Sequence, residues 1–382
     1  MRVFVVAGEP SGDRLGGALM RGLKTLVPEV EFAGIGGPDM ISEGLTSRFE
    51  MSELSVMGIA EVLPKYRHLM SRIDETATTI VAEKPDVLIT IDSPDFCLRV
   101  ARRVKAAADI RTVHYVAPTV WAWRPKRAAK MAKMIDEVLC LFPFEPPYME
   151  AAGMKAHFVG HPVVAERTAS DAEAAAFRNA QSIPADTPLI LALPGSRRGE
   201  ISRLAPIFGE VLAAVVRDKP AMRVIVPTVQ HTHDLVADLT SEWPGAPILI
   251  PSDASADKAA GFAAANVALA ASGTVSLELA ASATPMVIAY DMNILSRWLI
   301  GALLKVDTVT LVNLVSDTRA IPEFLGKNCT ASAIAPALLK LLTDAPARET
   351  QMNAMRRTMV LLGQGGEAPG LRAARAVLSG AQ

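Results

Sequence analysis

Short apolar runs rich in β-branched residues alternate with amphipathic stretches along almost the whole chain. This alternation is typical of βα units, in which helices join parallel strands. In the first half the pattern predicts six strands, at residues 2–7, 31–35, 87–91, 112–116, 137–141 and 157–159. A second series predicts five more, at residues 189–193, 223–226, 247–250, 267–270 and 286–290. The sequence therefore predicts an α/β protein with two doubly wound, Rossmann-like domains.

The boundary between these domains is predicted near residue 165, where the chain becomes polar and rich in alanine. A chain of 382 residues is too long for one ordinary core, which also favours two domains with a cleft between them. Residues 331–382 show helical periodicity and no convincing strand. We therefore expect domains at residues 1–165 and 166–330, followed by a C-terminal helical tail.

Composition excludes several classes of protein. The 39 basic and 40 acidic residues nearly cancel, which argues against an electrostatic nucleic-acid binder. The three cysteines show neither metal spacing nor the framework of a secreted scaffold, so we expect a cytoplasmic protein. No apolar stretch is long enough to span a membrane. The seven-residue run from Trp298 to Leu304, between Arg297 and Lys305, suits either a membrane interface or a buried helix.

The loop after the first predicted strand is the first candidate for ligand binding. Glu9, Ser11, Gly12 and Asp13 lie where a strand passes into a helix, as in many sites at the carboxyl ends of strands. The glycine spacing does not fit a dinucleotide fingerprint, and no Gly-Lys-Ser/Thr follows. A simple tight turn with Asp13 near the helix start would explain the glycines. It would not explain Glu9 and Ser11, so we favour a substrate loop.

Two carboxylates, Asp92 and Asp95, follow the third predicted strand. One of them is a candidate general base, while Asp95 after Pro94 also suits a helix cap, and the residues alone leave both roles open. Aromatic and basic residues follow the fourth strand, a combination able to hold a sugar and its phosphate. His114, which lies in that strand, is better explained on its own as a core histidine.

The second domain offers two loops suited to a nucleotide diphosphate. Gly195, Ser196 and Arg197 join a strand to a helix, where free backbone amides and a guanidinium favour an anion. Ser272, Gly273 and Thr274 open another helix, and Glu278 on its first turn suits ribose hydroxyls or a favourable interaction with the helix dipole.

Two common catalytic arrangements are missing from the sequence. No Asp-x-Asp triplet or metal-ligand cluster is present, so we expect neither metal nor cofactor. There is also no Gly-x-Ser-x-Gly motif, which makes an α/β-hydrolase nucleophile an unfavourable interpretation.

Read in order, a set of short motifs over residues 1 to about 330 resembles the lipid-A-disaccharide synthase family. The set comprises Ala7-Gly8-Glu9-x-Ser11-Gly12-Asp13, Gly36-Gly37-Pro38-x-Met40, Met57-Gly58-x-x-Glu61-Val62-Leu63, Pro94-Asp95-Phe96, Val120-Trp121-Ala122-Trp123, Phe142-Pro143-Phe144-Glu145, Val159-Gly160-His161-Pro162, Leu193-Pro194-Gly195-Ser196-Arg197, Ser272-Gly273-Thr274 with Glu278, and Pro322-Glu323. Each motif is weak alone, but the collinear set is specific.

The resemblance implies a GT-B glycosyltransferase, with an acceptor-side domain at residues 1–165 and a UDP-sugar domain at residues 166–330. It implies inverting transfer of 2,3-diacylglucosamine from UDP-2,3-diacylglucosamine to 2,3-diacylglucosamine 1-phosphate, which forms a β-1,6 linkage and releases UDP without a cofactor. In the family pattern Asp95 is the base and Arg197 serves the donor. Ser272, Gly273, Thr274 and Glu278 contact the nucleotide, and Asn313 matches an asparagine near the domain junction.

The resemblance also implies a cellular setting: peripheral association with the inner membrane of a Gram-negative bacterium and a homodimer that exchanges C-terminal elements. The sequence departs from the family pattern at Cys97, commonly Asn, and at Gly326, commonly Gln. Two alternatives remain open, a UDP-sugar 2-epimerase of the same fold and a non-catalytic nucleotide-sugar-binding protein.

Overall fold

The apolar runs form two parallel six-stranded sheets flanked by helices. The computed structural model describes residues 1–54, 59–122, 126–291 and 306–380, with backbone alone at residues 59–65. The apolar run at residues 298–304 lies outside these described residues. The chain divides into unit 1, residues 1–165 with 365–382, and unit 2, residues 166–364. The predicted α/β class with two doubly wound sheets is confirmed.

Unit 1 has the strand order β2-β1-β3-β4-β5-β6, with all neighbours parallel. Its strands are β1 Arg2–Ala7, β2 Glu31–Ile35, β3 Val87–Ile91, β4 Arg111–Tyr115, β5 Glu137–Cys140 and β6 Lys155–Phe158. Its helices in the N-terminal part are α1 Pro10–Leu26, α2 Pro38–Ser42, α3 Ile59–Glu83, α4 Pro94–Ala107, α5 Lys126–Met131 and α6 Pro146–Glu150. Every residue of β3 is buried, as expected for a central strand covered by helices on both faces.

Unit 2 has the strand order β12-β11-β10-β7-β8-β9, again parallel throughout. Its strands are β7 Leu189–Leu193, β8 Arg223–Pro227, β9 Ile248–Ile250, β10 Val267–Ala271, β11 Met286–Tyr290 and β12 Glu323–Leu325. Its described helices are α7 Asp171–Ala180, α8 Arg198–Asp218, α9 His233–Thr240, α10 Ser255–Ala264, α11 Val275–Ala281, α12 Leu311–Ser316, α13 Ala331–Thr343 and α14 Ala345–Leu361. The sequence pattern did not predict β12, because this edge strand has only three residues, all half-buried, directly after a proline.

The segment that the sequence assigned to a C-terminal tail is divided between the two units. Helices α13 and α14 belong to unit 2, whereas the last helix, α15 Pro369–Ser379, packs on α1 in unit 1. Gly22 and Gly370 allow this close approach, because a Cβ at Gly22 would lie 2.6 Å from the carbonyl oxygen of Gly370. Arg111, paired with the buried Glu137, also donates a hydrogen bond of 2.7 Å to the Val377 carbonyl near the end of α15.

Among the described residues no helix is both long and apolar enough to cross a membrane.

Candidate active site

The predicted substrate loop after β1 and the segment that carries the candidate general base lie side by side in unit 1. Strands β1 and β3 are parallel neighbours, with Ala7 paired to Ile91, so the loops that follow them leave the same edge of the sheet. These loops are in contact, because a Cβ added to Gly8 would lie 2.7 Å from the Ser93 hydroxyl oxygen. Glu9 is half-buried and Ser11 is exposed at this edge. The structure thus brings the β1 loop next to the Asp92–Asp95 segment.

The Asp95 carboxylate is exposed on the first turn of α4. It makes no hydrogen bond or ion pair with any residue that the structure describes, and no side chain caps this helix. The alternative role of Asp95 as a helix cap therefore has no support in the geometry. An exposed carboxylate at the carboxyl edge of the sheet is accessible to a substrate hydroxyl.

Asp92 occupies a different environment only three residues away. Asp92 and Ser93 have φ angles of 48° and 41°, which places two consecutive non-glycine residues in the left-handed region. Such conformations cost on the order of 1–3 kcal/mol each and concentrate at functional sites. The Asp92 amide donates a hydrogen bond of 3.0 Å to the Tyr115 carbonyl, which links the turn to β4. Burial raises the pKa of Asp92, and a hydrogen bond from the Ser93 backbone partly opposes this rise.

Asp13, predicted to bind substrate, uses its carboxylate inside the fold. The side chain is 2% exposed and accepts hydrogen bonds from the backbone amides of Gly37 (2.8 Å), Asp39 (2.9 Å) and Met40 (3.1 Å). It thereby satisfies the amides at the start of α2. Gly12 is buried where α1 passes β3, and its added Cβ would lie 3.4 Å from the Ile91 carbonyl oxygen. These contacts support a role in positioning the loop.

Cys97, the departure from the family pattern beside Asp95, points into the core. It is fully buried, and its sulfur lies 3.9 Å from the carbonyl oxygens of Val6 and Ile91. Burial raises the pKa of this thiol, and the neighbouring carboxylates of Asp92 and Glu9 add to the effect. The substitution therefore leaves the exposed Asp95 carboxylate unchanged.

In unit 2 the loop between β7 and α8 presents a guanidinium at a helix start. Arg197 immediately precedes α8 with its side chain 66% exposed, and its Nη1 donates a hydrogen bond of 3.0 Å to Glu200 Oε1. Gly195 has a φ of 120°, and a Cβ there would lie 2.8 Å from the Glu200 Cβ. The glycine thus lets the loop pass over Glu200. Amides at the start of this long helix and the nearby Arg197 make a site suited to an anion.

The second loop that the sequence predicts to bind the nucleotide follows β10. Gly273 and Thr274 are exposed, and Glu278 lies on the first turn of α11. Glu278 Oε2 accepts a hydrogen bond of 2.7 Å from the Lys258 ammonium on α10. Strands β7 and β10 are parallel neighbours, so this loop and the Arg197 loop leave the same edge of the sheet. Lys258 lies in none of the family motifs, so the sequence gives no signal that would identify it.

Asn313 is buried and holds neighbouring segments together. Its amide nitrogen donates hydrogen bonds to the Ile321 carbonyl (2.9 Å) and the Thr308 hydroxyl (3.2 Å), and its oxygen accepts one from the Ile321 amide. Glu323 accepts further hydrogen bonds from Thr308 and from the Thr310 amide, each of 2.6 Å. The geometry supports a role for Asn313 in ordering the start of α12. Gly326, the other departure, has a φ of 56°, which favours glycine.

Four rings at the carboxyl ends of β4, β5 and β6 form what we call the aromatic cluster: Trp121, Phe142, Phe144 and His161. Phe142 stacks on Phe144 with ring centroids 5.4 Å apart, and Trp121 meets Phe144 edge to face at 5.1 Å. His161 lies 5.5 Å from Phe142 and is nearly buried, and burial lowers its pKa to about 4.

Glu145 lies beside this cluster, and burial raises its pKa to about 7. The cluster residues and Glu145 all lie in the family motifs, but from the sequence only Trp121, among the aromatic residues after the fourth strand, was a candidate for holding a sugar.

Two further expectations concern His114 and metal binding. His114 is buried in β4 with its Nδ1 2.8 Å from the Thr90 hydroxyl, and burial lowers its pKa to about 4, as in a neutral core histidine. In the part of the chain covered by the structure, no group of three His, Cys, Asp or Glu side chains is arranged to hold a metal.

Comparison with known proteins identifies the family. Residues 3–369 match the lipid-A-disaccharide synthetase family. The chain belongs to this family. A lipid-A-disaccharide synthase from Ruegeria pomeroyi is 61% identical over 99% of this chain and 95% of its own, and one from Rhodospirillum centenum is 45% identical over 99% and 94%. The predicted family and glycosyltransferase class are thereby confirmed.

Solved structures share the fold at low sequence identity. A UDP-GlcNAc 2-epimerase from Neisseria meningitidis superposes with a TM-score of 0.65 and 12% identity, over 100% of this chain and 99% of that one. A glycosyltransferase from Rickettsia africae gives a TM-score of 0.58, also at 12% identity, over 100% and 97%. At this identity the similarity shows only a common fold. Family membership therefore favours the transferase over the epimerase alternative.

Proposed function

We propose that the protein transfers 2,3-diacylglucosamine from UDP-2,3-diacylglucosamine to the 6-hydroxyl of 2,3-diacylglucosamine 1-phosphate. The product is the β-1,6-linked lipid A disaccharide, and UDP leaves. The observation that carries this proposal is the match of nearly the whole chain to the family, with 61% identity to a relative that bears the synthase name. The exposed Asp95 and Arg197 provide the chemistry that such a transfer requires.

The acceptor half of the reaction is assigned to unit 1, where Asp95 serves as the general base. Inversion by a single displacement requires one base, which takes the proton of the acceptor hydroxyl as its oxygen attacks the sugar carbon. Asp95 suits this role because its carboxylate is exposed and unpaired among the described residues. Glu9, Ser11 and the strained Asp92 turn border the same edge of the sheet, where they would contact the acceptor.

The donor half is assigned to unit 2. As the bond to the sugar breaks, positive charge develops on the ring and negative charge on the leaving diphosphate. Arg197 and the amides at the start of α8 are suited to stabilise that negative charge, and losing such a donor commonly lowers the rate ~10²-fold or more. Ser272, Thr274 and Glu278 then hold the rest of the nucleotide, with Glu278 accepting from the ribose hydroxyls.

The substrates also define the expected location. Diacylated sugars reside in a membrane, so we propose peripheral association with the inner membrane from the cytoplasmic side. Homodimer formation is part of the same proposal. Sedimentation with phospholipid vesicles tests the first, and light scattering tests the second. Protein that stays in solution with vesicles containing both substrates would contradict membrane association.

Incubation of the purified protein with both proposed substrates tests the function directly. Mass spectrometry should detect the disaccharide monophosphate together with UDP. Epimerisation of a UDP-sugar with no disaccharide would instead favour the epimerase alternative, and tight UDP-sugar binding without any product would favour a non-catalytic protein.

A further inference from the structure

Glu145 holds the backbone that carries two rings of the aromatic cluster. The residue is only 2% exposed, and its Oε2 accepts hydrogen bonds of 3.0 Å from the amides of Leu141 and Phe142. These amides belong to the turn that follows β5 and leads to Phe144. The carboxylate therefore fixes the course of the turn, and with it the position of both phenylalanine rings.

A buried carboxylate is a costly way to build a turn. Burial raises the pKa of Glu145 to about 7, because the ionised form is poorly solvated inside the protein. The ordinary structural solution would leave such a turn at the surface, where water satisfies the amides. Strongly perturbed carboxylates are enriched at functional sites.

Phe144 is the most accessible ring of the aromatic cluster. Trp121, Phe142 and His161 are each less than a tenth exposed, whereas Phe144 is only partly buried. Phe142 covers one face of Phe144, and Trp121 packs against the Phe144 ring in an edge-to-face contact. The cluster thus holds one accessible aromatic ring rigidly in place. It stands at the edge of the sheet from which the Asp95 segment also leaves.

We infer that Phe144 stacks against the pyranose ring of the acceptor sugar and that Glu145 is the positioning residue that holds Phe144 there. This inference rests on the proposed function and adds to it the residues that bind the acceptor ring. The C–H face of a pyranose is apolar and slightly positive, which complements the negative face of an aromatic ring. The acceptor is the sugar involved because the cluster belongs to unit 1 with Asp95, whereas the donor residues belong to unit 2.

Steady-state kinetics of Phe144→Leu test the contact. Leucine keeps an apolar side chain but removes the aromatic face, so the acceptor KM should rise roughly three- to tenfold, the range expected for one aromatic contact. The donor KM and kcat should stay close to wild type. Tyr148→Leu is the matched control, because Tyr148 is an exposed aromatic residue on the neighbouring α6, outside the cluster, and its removal should change neither KM.

Glu145→Leu and Glu145→Gln test the positioning role. Leucine cannot accept the two amide hydrogen bonds and should raise the acceptor KM as Phe144→Leu does, while the donor KM stays unchanged. Glutamine keeps an acceptor oxygen and should raise the acceptor KM less. If Glu145→Leu does not fold, the acceptor KM values of Glu145→Gln and Phe144→Leu still test whether Glu145 positions Phe144.

Acceptors with progressively shorter acyl chains separate two possible contacts of Phe144. A constant ratio between variant and wild-type KM supports contact with the sugar ring, whereas a ratio that grows with chain length assigns Phe144 to the acyl chain and overturns the inference. An unchanged acceptor KM in Phe144→Leu also overturns it. Formation of disaccharide by the wild-type protein tests the proposed function separately, so the two failures are distinguishable.

Discussion

Replacing Glu145 with glutamine should make the stability of unit 1 depend less on pH as the pH rises from mildly acidic to neutral. The wild-type carboxyl is buried, and its pKa is raised from 4.5 to about 7 by desolvation, with hydrogen bonds from the amides of Phe142 and Leu141 opposing the rise. The folded protein therefore retains a proton that the unfolded chain releases near pH 4.5. Glutamine has nearly the same shape and keeps an oxygen for the two amides, but it does not titrate.

Proton linkage gives the direction and the size of the change in unfolding free energy with pH. Because the folded pKa is raised, the contribution of Glu145 is most favourable below pH 4.5 and is lost as pH rises towards 7. The rise corresponds to roughly 3 kcal/mol in total, most of which falls between pH 5 and pH 8. His161, whose pKa is lowered to about 4, acts in the opposite direction, and the Cys140 thiol beside Glu145 has its pKa raised by burial. Both are present in the two proteins, so the difference between them isolates Glu145.

Urea unfolding of both proteins from pH 5 to pH 8 measures this difference. Hydrogen exchange of the peptide that contains Leu141 and Phe142 assigns the transition to unit 1, which is necessary because a chain of two units need not unfold in one step. The wild-type protein should lose roughly 2–3 kcal/mol of unfolding free energy relative to Glu145→Gln over this range. A difference that stays constant with pH would show that burial does not raise the pKa of the Glu145 carboxyl.

Four further predictions concern the site and its support. Asp95→Asn should lower turnover at least ~10²-fold while donor binding measured by calorimetry persists, because an amide cannot accept the proton. The control is Asp39→Asn, since Asp39 is another exposed aspartate that follows a proline at a helix start. Near-normal turnover of Asp95→Asn would refute the assignment of Asp95 as the base. Arg197→Ala should weaken donor binding and slow turnover together. A defect confined to acceptor binding would show that the assignment of the donor to unit 2 is wrong. Activity should persist in excess EDTA, since a guanidinium and helix amides stabilise the diphosphate; loss of turnover that added metal restores would contradict this. Asp13→Asn should lower the free energy of unfolding of unit 1 in urea by roughly 1–3 kcal/mol, because an amide supplies fewer acceptor sites for three backbone amides. Unchanged stability with lost activity would instead indicate that Asp13 binds substrate.

The hydrophobic pattern was sufficient to predict both sheets. Eleven of the twelve strands that the described residues form were predicted, because runs of β-branched residues buried on both faces leave a strong local signal. The edge strand β12 was missed because three half-buried residues leave almost none. Motif positions likewise predicted which loops would gather at the carboxyl edge of each sheet, since in parallel sheets the ends of neighbouring strands meet there.

The sequence by itself determined the fold class, the family and the loops that carry the candidate chemistry, since each of these depends on residue types and their order. Only the tertiary structure decided how similar residues differ. Asp92 and Asp95 are three residues apart, yet one is partly buried on a strained turn and the other is exposed. Asp13 is engaged by three amides from a loop more than twenty residues away, and Glu145 has a raised pKa because distant segments exclude water from it. Burial and hydrogen bonding depend on which remote residues pack together, and the local pattern does not contain that information.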